Sequence, residues 1–188
     1  VEESDEIFHR AAKLIEEGGI VAVKGLGGYH LVCDAANEAA LATLRQRKHR
    51  PGKAFAVMVA SVEEARALCR VNDAEARQLT SSARPIVLLR KRSDATFAKG
   101  LADNLPELGV MLPTTPVQHL LLHECGGMLV MTSGNIHDEP IVIDEETAFS
   151  QLAGVADAFL VNNREIVGRY DDSVIRILNG GAAGDIVQ

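Results

Sequence analysis

Gly18-Gly19-Ile20-Val21-Ala22-Val23-Lys24-Gly25-Leu26-Gly27-Gly28-Tyr29-His30-Leu31 is the stretch from which the fold can be read. Ile20 to Val23 form a short apolar run bounded by glycines, which predicts a buried strand. The glycines from Gly25 to Gly28 turn the chain, and a second strand is expected over Tyr29 to Cys33. Upstream, Ser4 is expected to cap a helix with Asp5 and Glu6 in its first turn, where the helix dipole favours acids. Ile7, Phe8, Ala11, Leu14 and Ile15 follow at helical spacing, and Gly18-Gly19 stop it. Downstream, Asn37 caps a helix that turns Leu41 and Leu44 inward and ends near Arg47.

Strands and helices go on alternating, imperfectly. Phe55 to Val59 predicts a strand, Val62 to Leu68 and Ala74 to Ser81 two helices, and Pro85 to Leu89 a further strand. Lys91 to Leu108 carries no firm element, and a loop of that length in a compact domain suggests a lid or a binding loop. Gly109 to Leu112 is expected as a strand, and Thr115 as the cap of a helix whose first residue is Pro116. Met128 to Thr132 predicts a strand that runs into Ser133-Gly134-Asn135. Asp144 caps a helix reaching about Leu152, with strands at Ala158 to Val161 and Val174 to Leu178. The pattern is α/β (α+β): a twisted, mixed sheet with helices on its faces, not a regular doubly wound fold.

The 188 residues suit one domain with a sizeable core. Lysine and arginine number 19 against 26 acids, a formal charge of -7, which argues against a general nucleic-acid binder. Cys33, Cys69 and Cys125 are scattered without a CxxC pair, so neither a disulfide framework nor a zinc site is expected. They fit thiols of a reducing cytoplasm. No apolar run is long enough to cross a bilayer, so no membrane association is expected. The chain opens at Val1 rather than Met, as a segment of a longer polypeptide would.

Four segments carry candidate chemistry. Glycines after Lys24 allow backbone N–H groups to approach an anion, although the run is neither a P-loop nor a full GxGxxG, and a tight turn explains it better. Arg45, Arg47, Lys48, His49, Arg50 and Lys53 cluster at a helix end, braced by Pro51 and Gly52. Polyphosphate binding is weighed there against a solvated basic patch on a helix C-terminus. Thr132-Ser133-Gly134-Asn135 ends a buried strand with short hydrogen-bonding side chains, a place for phosphate oxygens or a plain turn. Asp171 and Asp172, near Arg164, Arg169 and Ser173, suit Mg2+, which takes one or two carboxylates plus substrate phosphates, or a charged turn.

Taken together and in order, these segments resemble the YrdC-like domain as it occurs within HypF-type [NiFe]-hydrogenase maturation carbamoyltransferases. The matching strings are residues 18–31 above, Arg47-Lys48-His49-Arg50-Pro51, Leu108-Gly109-Val110-Met111-Leu112-Pro113, Met131-Thr132-Ser133-Gly134-Asn135, and Asn163 to Val174. They span nearly the whole chain. The resemblance implies a single YrdC-like domain over 1–188, excised from a longer chain, since the zinc fingers and transfer domain of HypF-type proteins are absent. It implies a YrdC/RibB-like sheet with a concave, positively charged cavity. It implies ATP-dependent adenylation of carbamate, derived from carbamoyl phosphate, to carbamoyl-AMP and pyrophosphate. The carbamoyl group would then pass, through the rest of the chain, to a HypE-type partner protein as a precursor of cyanide ligands.

Site roles follow from the same resemblance. Lys48 and Arg50 are the catalytic cations, and Lys53, Pro113, Thr132, Ser133, Asn135, Arg169 and Ser173 join them around the nucleotide. Lys24, Gly27, Gly28 and His30 are assigned to carbamate, although a core histidine on a strand is the favoured reading of His30 taken alone. Asp171 and Asp172 are assigned to Mg2+. Adenine is assigned to Val110 to Pro113, taken as an apolar strand edge with backbone donors. HypF-type sequences usually enter an Arg-rich stretch just past this point, and if an arginine beyond Gln188 closes over ATP, residues 1–188 alone bind nucleotide weakly. Two alternatives stand beside this reading: a threonylcarbamoyl-AMP synthase for tRNA modification, and a nucleic-acid-binding module using the Arg45–Lys53 patch. The acidic total and few aromatics weigh against the second.

Overall fold

The computed structural model describes residues 2–136, 139–178 and 185–187. Ten strands form one mixed sheet: β1 (Val21–Lys24), β2 (Tyr29–Asp34), β3 (Ala56–Met58), β4 (Cys69–Arg70), β5 (Ile86–Lys91), β6 (Glu107–Met111), β7 (Leu129–Ser133), β8 (Ala158–Leu160), β9 (Val174–Leu178) and β10 (Asp185–Val187). Their order is β10-β9-β5-β6-β3-β7-β2-β1-β8, with β4 paired to β5 off that path. The opening glycine-flanked stretch is an antiparallel hairpin in register Val21 to Val32 through Lys24 to Tyr29. The parallel pairs β1–β8, β3–β6 and β5–β9 make the sheet mixed.

Alternation along the strands sorts the core into two layers, since successive side chains leave opposite faces. Val21, Val23, Val32, Met58, Met111, Leu129 and Met131 pack with Ile15 of α1 (Glu2–Glu16) and Leu121 and Leu122 of α5 (Pro116–Cys125). Ala22, Leu31, Cys33, Val57, Val87, Val110 and Val130 face the other way. They pack against α2 (Glu38–Arg47), α3 (Val62–Leu68), α4 (Asp73–Leu79) and α6 (Glu145–Gln151), which contribute Leu41 and Leu44, Ala65, Leu79 and Ala148.

Local signals position the helices. The Asn37 side chain accepts from the amides of Ala39 and Ala40, Thr115 forms a capping box with Gln118 ahead of Pro116, and Asp144 accepts from Thr147. α1 opens at Glu2, three residues before the Asp5 expected to start it, so Ser4 lies inside the helix rather than at its cap. The two-residue β4 carried no sequence signal of its own.

Lys91 to Leu108, expected as a lid or a binding loop, joins β5 to β6 and is pinned to the rest of the molecule. Leu101 and Ala102 are buried in the core, and Lys91 Nζ donates to Ala102 O at 2.6 Å. The amide of Phe55 donates to Leu101 O at 3.0 Å. This loop is a wall of the molecule.

Leu31 is fully buried on β2, paired between β1 and β7. Leu31→Ala is expected to cost about 2–5 kcal/mol, from lost burial plus the cavity left behind. A lowered urea midpoint at unchanged slope checks it.

Candidate functional site

The end of α2 decides where the basic run points. Lys48 is the C-cap, and His49 takes a left-handed backbone (φ 52) where a glycine would be usual. Through that kink both Lys48 and Arg50 turn toward the end of β7. The other cations are drawn elsewhere: Arg47 Nη1 pairs with Asp157 at 2.7 Å and with Val155 O at 3.0 Å, while His49 and Lys53 are exposed. The cluster that the sequence presents as one patch is therefore split, and only two of its members face inward.

Lys48 is 2% exposed. Its ammonium donates to Ser133 O at 2.6 Å, to Asn135 O at 2.7 Å and to Asn135 Oδ1. All three of its protons are thus spent on the loop after β7. Ser133 Oγ donates to the same Asn135 Oδ1 at 2.9 Å, and Asn135 Nδ2 donates to Glu139 O at 2.6 Å, which fixes the amide's orientation. Arg50 donates to Thr132 Oγ1 at 3.3 Å and Ala54 O at 3.1 Å, its Nε is buried with no partner among the described residues, and its guanidinium lies 5.5 Å from the Phe55 ring centroid. Lys48, Arg50, Thr132, Ser133 and Asn135 are in one place, as the sequence led us to expect.

Gly134 makes that place possible. Its amide donates to Tyr29 O at 2.6 Å, and a Cβ there would stand 2.6 Å from the same oxygen. No other residue fits against that backbone without displacing it.

Burial, then the neighbouring Arg50, push the Lys48 ammonium down to about 8, with Asp171 pulling it back up. Burial and Arg45 hold Arg50 below its ordinary value, again opposed by Asp171. Below Arg50 lies a cavity of about 230 Å3 whose lining includes Ala56, Ile86, Gly109, Met131, Thr132, Ser133 and Asp172. Its floor is the α1/α5 face of the sheet, beyond the reach of those helices. Gly109 leaves the floor low, since a Cβ there would stand 3.0 Å from Ile86. Sequence reasoning missed this floor; the signal was small residues, Ala56 and Gly109, two positions before Met58 and Met111 on their strands.

The remaining expected residues fall less simply. Lys24 and His30 leave opposite faces of the β1–β2 hairpin. Lys24 Nζ is paired with Glu145 at 2.7 Å and donates to Asn162 O at 3.1 Å, on the α6 side. His30 is opposite Ser133 in the ladder, and its Nε2 is 3.2 Å from Asp172 Oδ2. A Cβ on Gly27 would strike Tyr170 at 2.5 Å and one on Gly28 would strike Ile141 at 2.5 Å, so side chains already cover both glycines. The adenine expectation rested on a strand edge, and that is corrected: β6 lies between β5 and β3, its backbone groups are spent on both neighbours, and Arg84 donates to Pro113 O. Arg169 is exposed and acts through space on Asp144, and Ser173 O accepts from the Ile86 amide at 2.8 Å. Among the described residues no group of three or more His, Cys, Asp and Glu side chains forms a metal cage. Asp172 is engaged by His30, which leaves the exposed Asp171 as the carboxylate beside the cations.

Comparisons with known proteins fit this geometry. The model of the Sua5/YciO/YrdC family, described as telomere recombination, matches residues 13–183. Carbamoyltransferase HypF2 of Cupriavidus necator is 50% identical over 192 residues, taking in 94% of this chain and 24% of that protein. The probable carbamoyltransferase HypF of Methanocaldococcus jannaschii is 40% identical over 178 residues, 94% of this chain and 23% of that protein. The chain thus spans about a quarter of the length of these curated relatives. A full-length HypF solved in its phosphate- and nucleotide-bound form matches at TM-score 0.91 and 49% identity, covering 96% of this chain and 28% of that one. P. abyssi Sua5, solved with L-threonine, matches at TM-score 0.81 over 92% of this chain and 51% of that one, but at 21% identity it is a likeness of fold alone. With a family model running through nearly the whole sheet, this chain belongs to the Sua5/YciO/YrdC family.

Proposed function

We propose that this chain is the carbamoyl-adenylate-forming part of a larger HypF-type carbamoyltransferase. It binds ATP and joins carbamate, derived from carbamoyl phosphate, to the α-phosphorus, releasing pyrophosphate. The observation that carries this reading is the convergence of Lys48 and Arg50 on the segment from Thr132 to Asn135, with Arg50, Thr132 and Ser133 lining one cavity. Support comes from relatives named carbamoyltransferases and from the nucleotide-bound state of a HypF with the same fold. In the full-length protein the carbamoyl group would go on to a HypE-type partner, as a cyanide-ligand precursor for [NiFe]-hydrogenase. No described helix is long and apolar enough to cross a membrane.

In this reading a carbamate oxygen attacks the α-phosphorus in line, the bond to the bridging β-phosphate oxygen breaks, and that oxygen leaves with the pyrophosphate. Carbamate is already an anion, so no general base is needed. What the protein must supply is fixed positive charge where negative charge accumulates on the leaving group. Arg50 brings a guanidinium at the cavity wall, while Lys48 brings charge and holds the loop that carries Ser133 and Asn135. Asp171 would be the carboxylate that holds Mg2+ together with phosphate oxygens, since that ion commonly takes one or two carboxylates plus substrate phosphates rather than a protein cage. Bound there, Mg2+ would neutralise pyrophosphate charge.

ATP–pyrophosphate exchange by the intact protein, driven by carbamoyl phosphate, tests the proposal. Arg50→Ala and Lys48→Met are each expected to lower it by about 100-fold or more, the scale of losing a donor to developing charge. Wild-type exchange in either folded variant would remove that residue from the mechanism, and exchange driven by threonine instead would assign the domain to a different acid.

A pH dependence follows from Lys48. Because the folded chain holds this proton less tightly than the ordinary lysine value of 10.5, its desolvation cost is carried in full below about pH 8 and is relieved as pH rises toward 10.5. Anion binding runs the opposite way, since it needs the charged form. ATP affinity is expected to fall as pH rises through about 8, and Lys48→Met to lose that fall; calorimetric titration across pH 7 to 9.5 reads both.

A further inference from the structure

Arg45 sits in the middle of the basic run, yet its guanidinium is committed to main-chain oxygens. Nε donates to Gly100 O at 2.8 Å, and Nη1 donates to Arg50 O at 3.0 Å and Lys53 O at 2.8 Å. Nη2 adds a second bond to Gly100 O. The carbonyl of Arg45 accepts the amide of Arg50 at 3.0 Å. Both backbone groups of Arg50 are therefore held by one residue, five positions earlier on α2. The same guanidinium lies 4.4 Å from the centre of the Phe55 ring, which Arg50 also approaches.

The hold matters because the turn it spans has little else to define it. His49 is in a left-handed conformation that favours glycine, and Pro51, Gly52 and Lys53 are exposed. Arg45 also fastens this turn to Gly100, and Leu101 beside Gly100 is anchored in the core. The guanidinium reaches these carbonyls from three separate nitrogens in a rigid fork, a spread that the single nitrogen of a lysine does not reproduce.

We infer that Arg45 is a positioning residue for the adenylation reaction proposed above, holding Arg50 in the orientation in which it meets the triphosphate. It touches no phosphate itself, so its effect passes entirely through Arg50.

That dependence gives the test. ATP affinity is measured by calorimetry on the intact protein for wild type, Arg45→Met, Arg50→Ala and the double variant, with urea unfolding run alongside. Each single change is expected to weaken ATP binding about tenfold or more, the loss of a charge-assisted hydrogen bond. The double variant is expected to bind within about twofold of Arg50→Ala alone, because groups acting in series are not additive. A residue that merely stabilises the fold would lower the urea midpoint and leave the affinities additive. Additive losses, or a folded Arg45→Met that binds ATP like wild type, overturn the inference. Arg45→Lys carries the same cycle if Arg45→Met does not fold. A wild-type protein that fails to bind ATP defeats the nucleotide reading, and this inference with it; ATP binding with additive losses defeats this inference alone.

Discussion

An ammonium that is almost wholly removed from water must be given oxygen in return, and in this molecule that demand falls on Lys48. Its partners are the main-chain oxygens of Ser133 and Asn135 and the side-chain oxygen of Asn135. Meeting them ties the end of α2 to the end of β7, two segments 85 and more residues apart. The loop after β7 can then take only one course. That course runs its chain against Tyr29 at Gly134, which brings in the edge of β2. One buried charge thus fixes how the end of the helix, the two strands and the cavity rim meet.

Satisfying Lys48 does not neutralise it. Arg50 is close enough to lower it, Arg45 lowers Arg50, and Asp171 at the exposed rim is the carboxylate that opposes both effects. The fold therefore carries an unpaid electrostatic cost that an incoming polyanion would relieve, which is what preorganisation for charge means in physical terms. The chain as a whole carries a formal charge of -7, and the cavity lining sets one cation, Arg50, against Asp171 and Asp172.

Much of the framework was legible because its signals are local. Asn37, Thr115-Pro116 and Asp144 each announce a helix start by what one side chain can do for nearby amides, and each does so. The strand Ile20 to Val23 and its hairpin partner could be read from apolar runs between glycines. What could not be read was direction. Six cations from Arg45 to Lys53 look alike in sequence, but Asp157 draws Arg47 away and a left-handed His49 turns Arg50 inward, and both facts are tertiary. The split of Lys24 from His30 was within reach, since alternation along a hairpin already puts them on opposite faces. The strand-edge reading of Val110 to Pro113 failed because strand order in a mixed sheet is set by crossovers that the local pattern does not encode.

The candidate site also departs from the common way in which proteins meet phosphate. Helix N-termini offer amides and a positive dipole end to anions, whereas Lys48 and Arg50 stand at the C-terminus of α2, where the dipole is negative. That placement helps to carry the buried Lys48 and the half-buried Arg50, because the last turn's carbonyls favour positive charge. It also means that the helix itself contributes nothing attractive to a triphosphate. Affinity must then come from side-chain charge and from the donors of the Ser133–Asn135 loop, and it depends on how exactly those side chains are aimed. A site built in this way has to invest in orientation, and the four main-chain contacts of Arg45 to Gly100, Arg50 and Lys53 are the investment the fold makes.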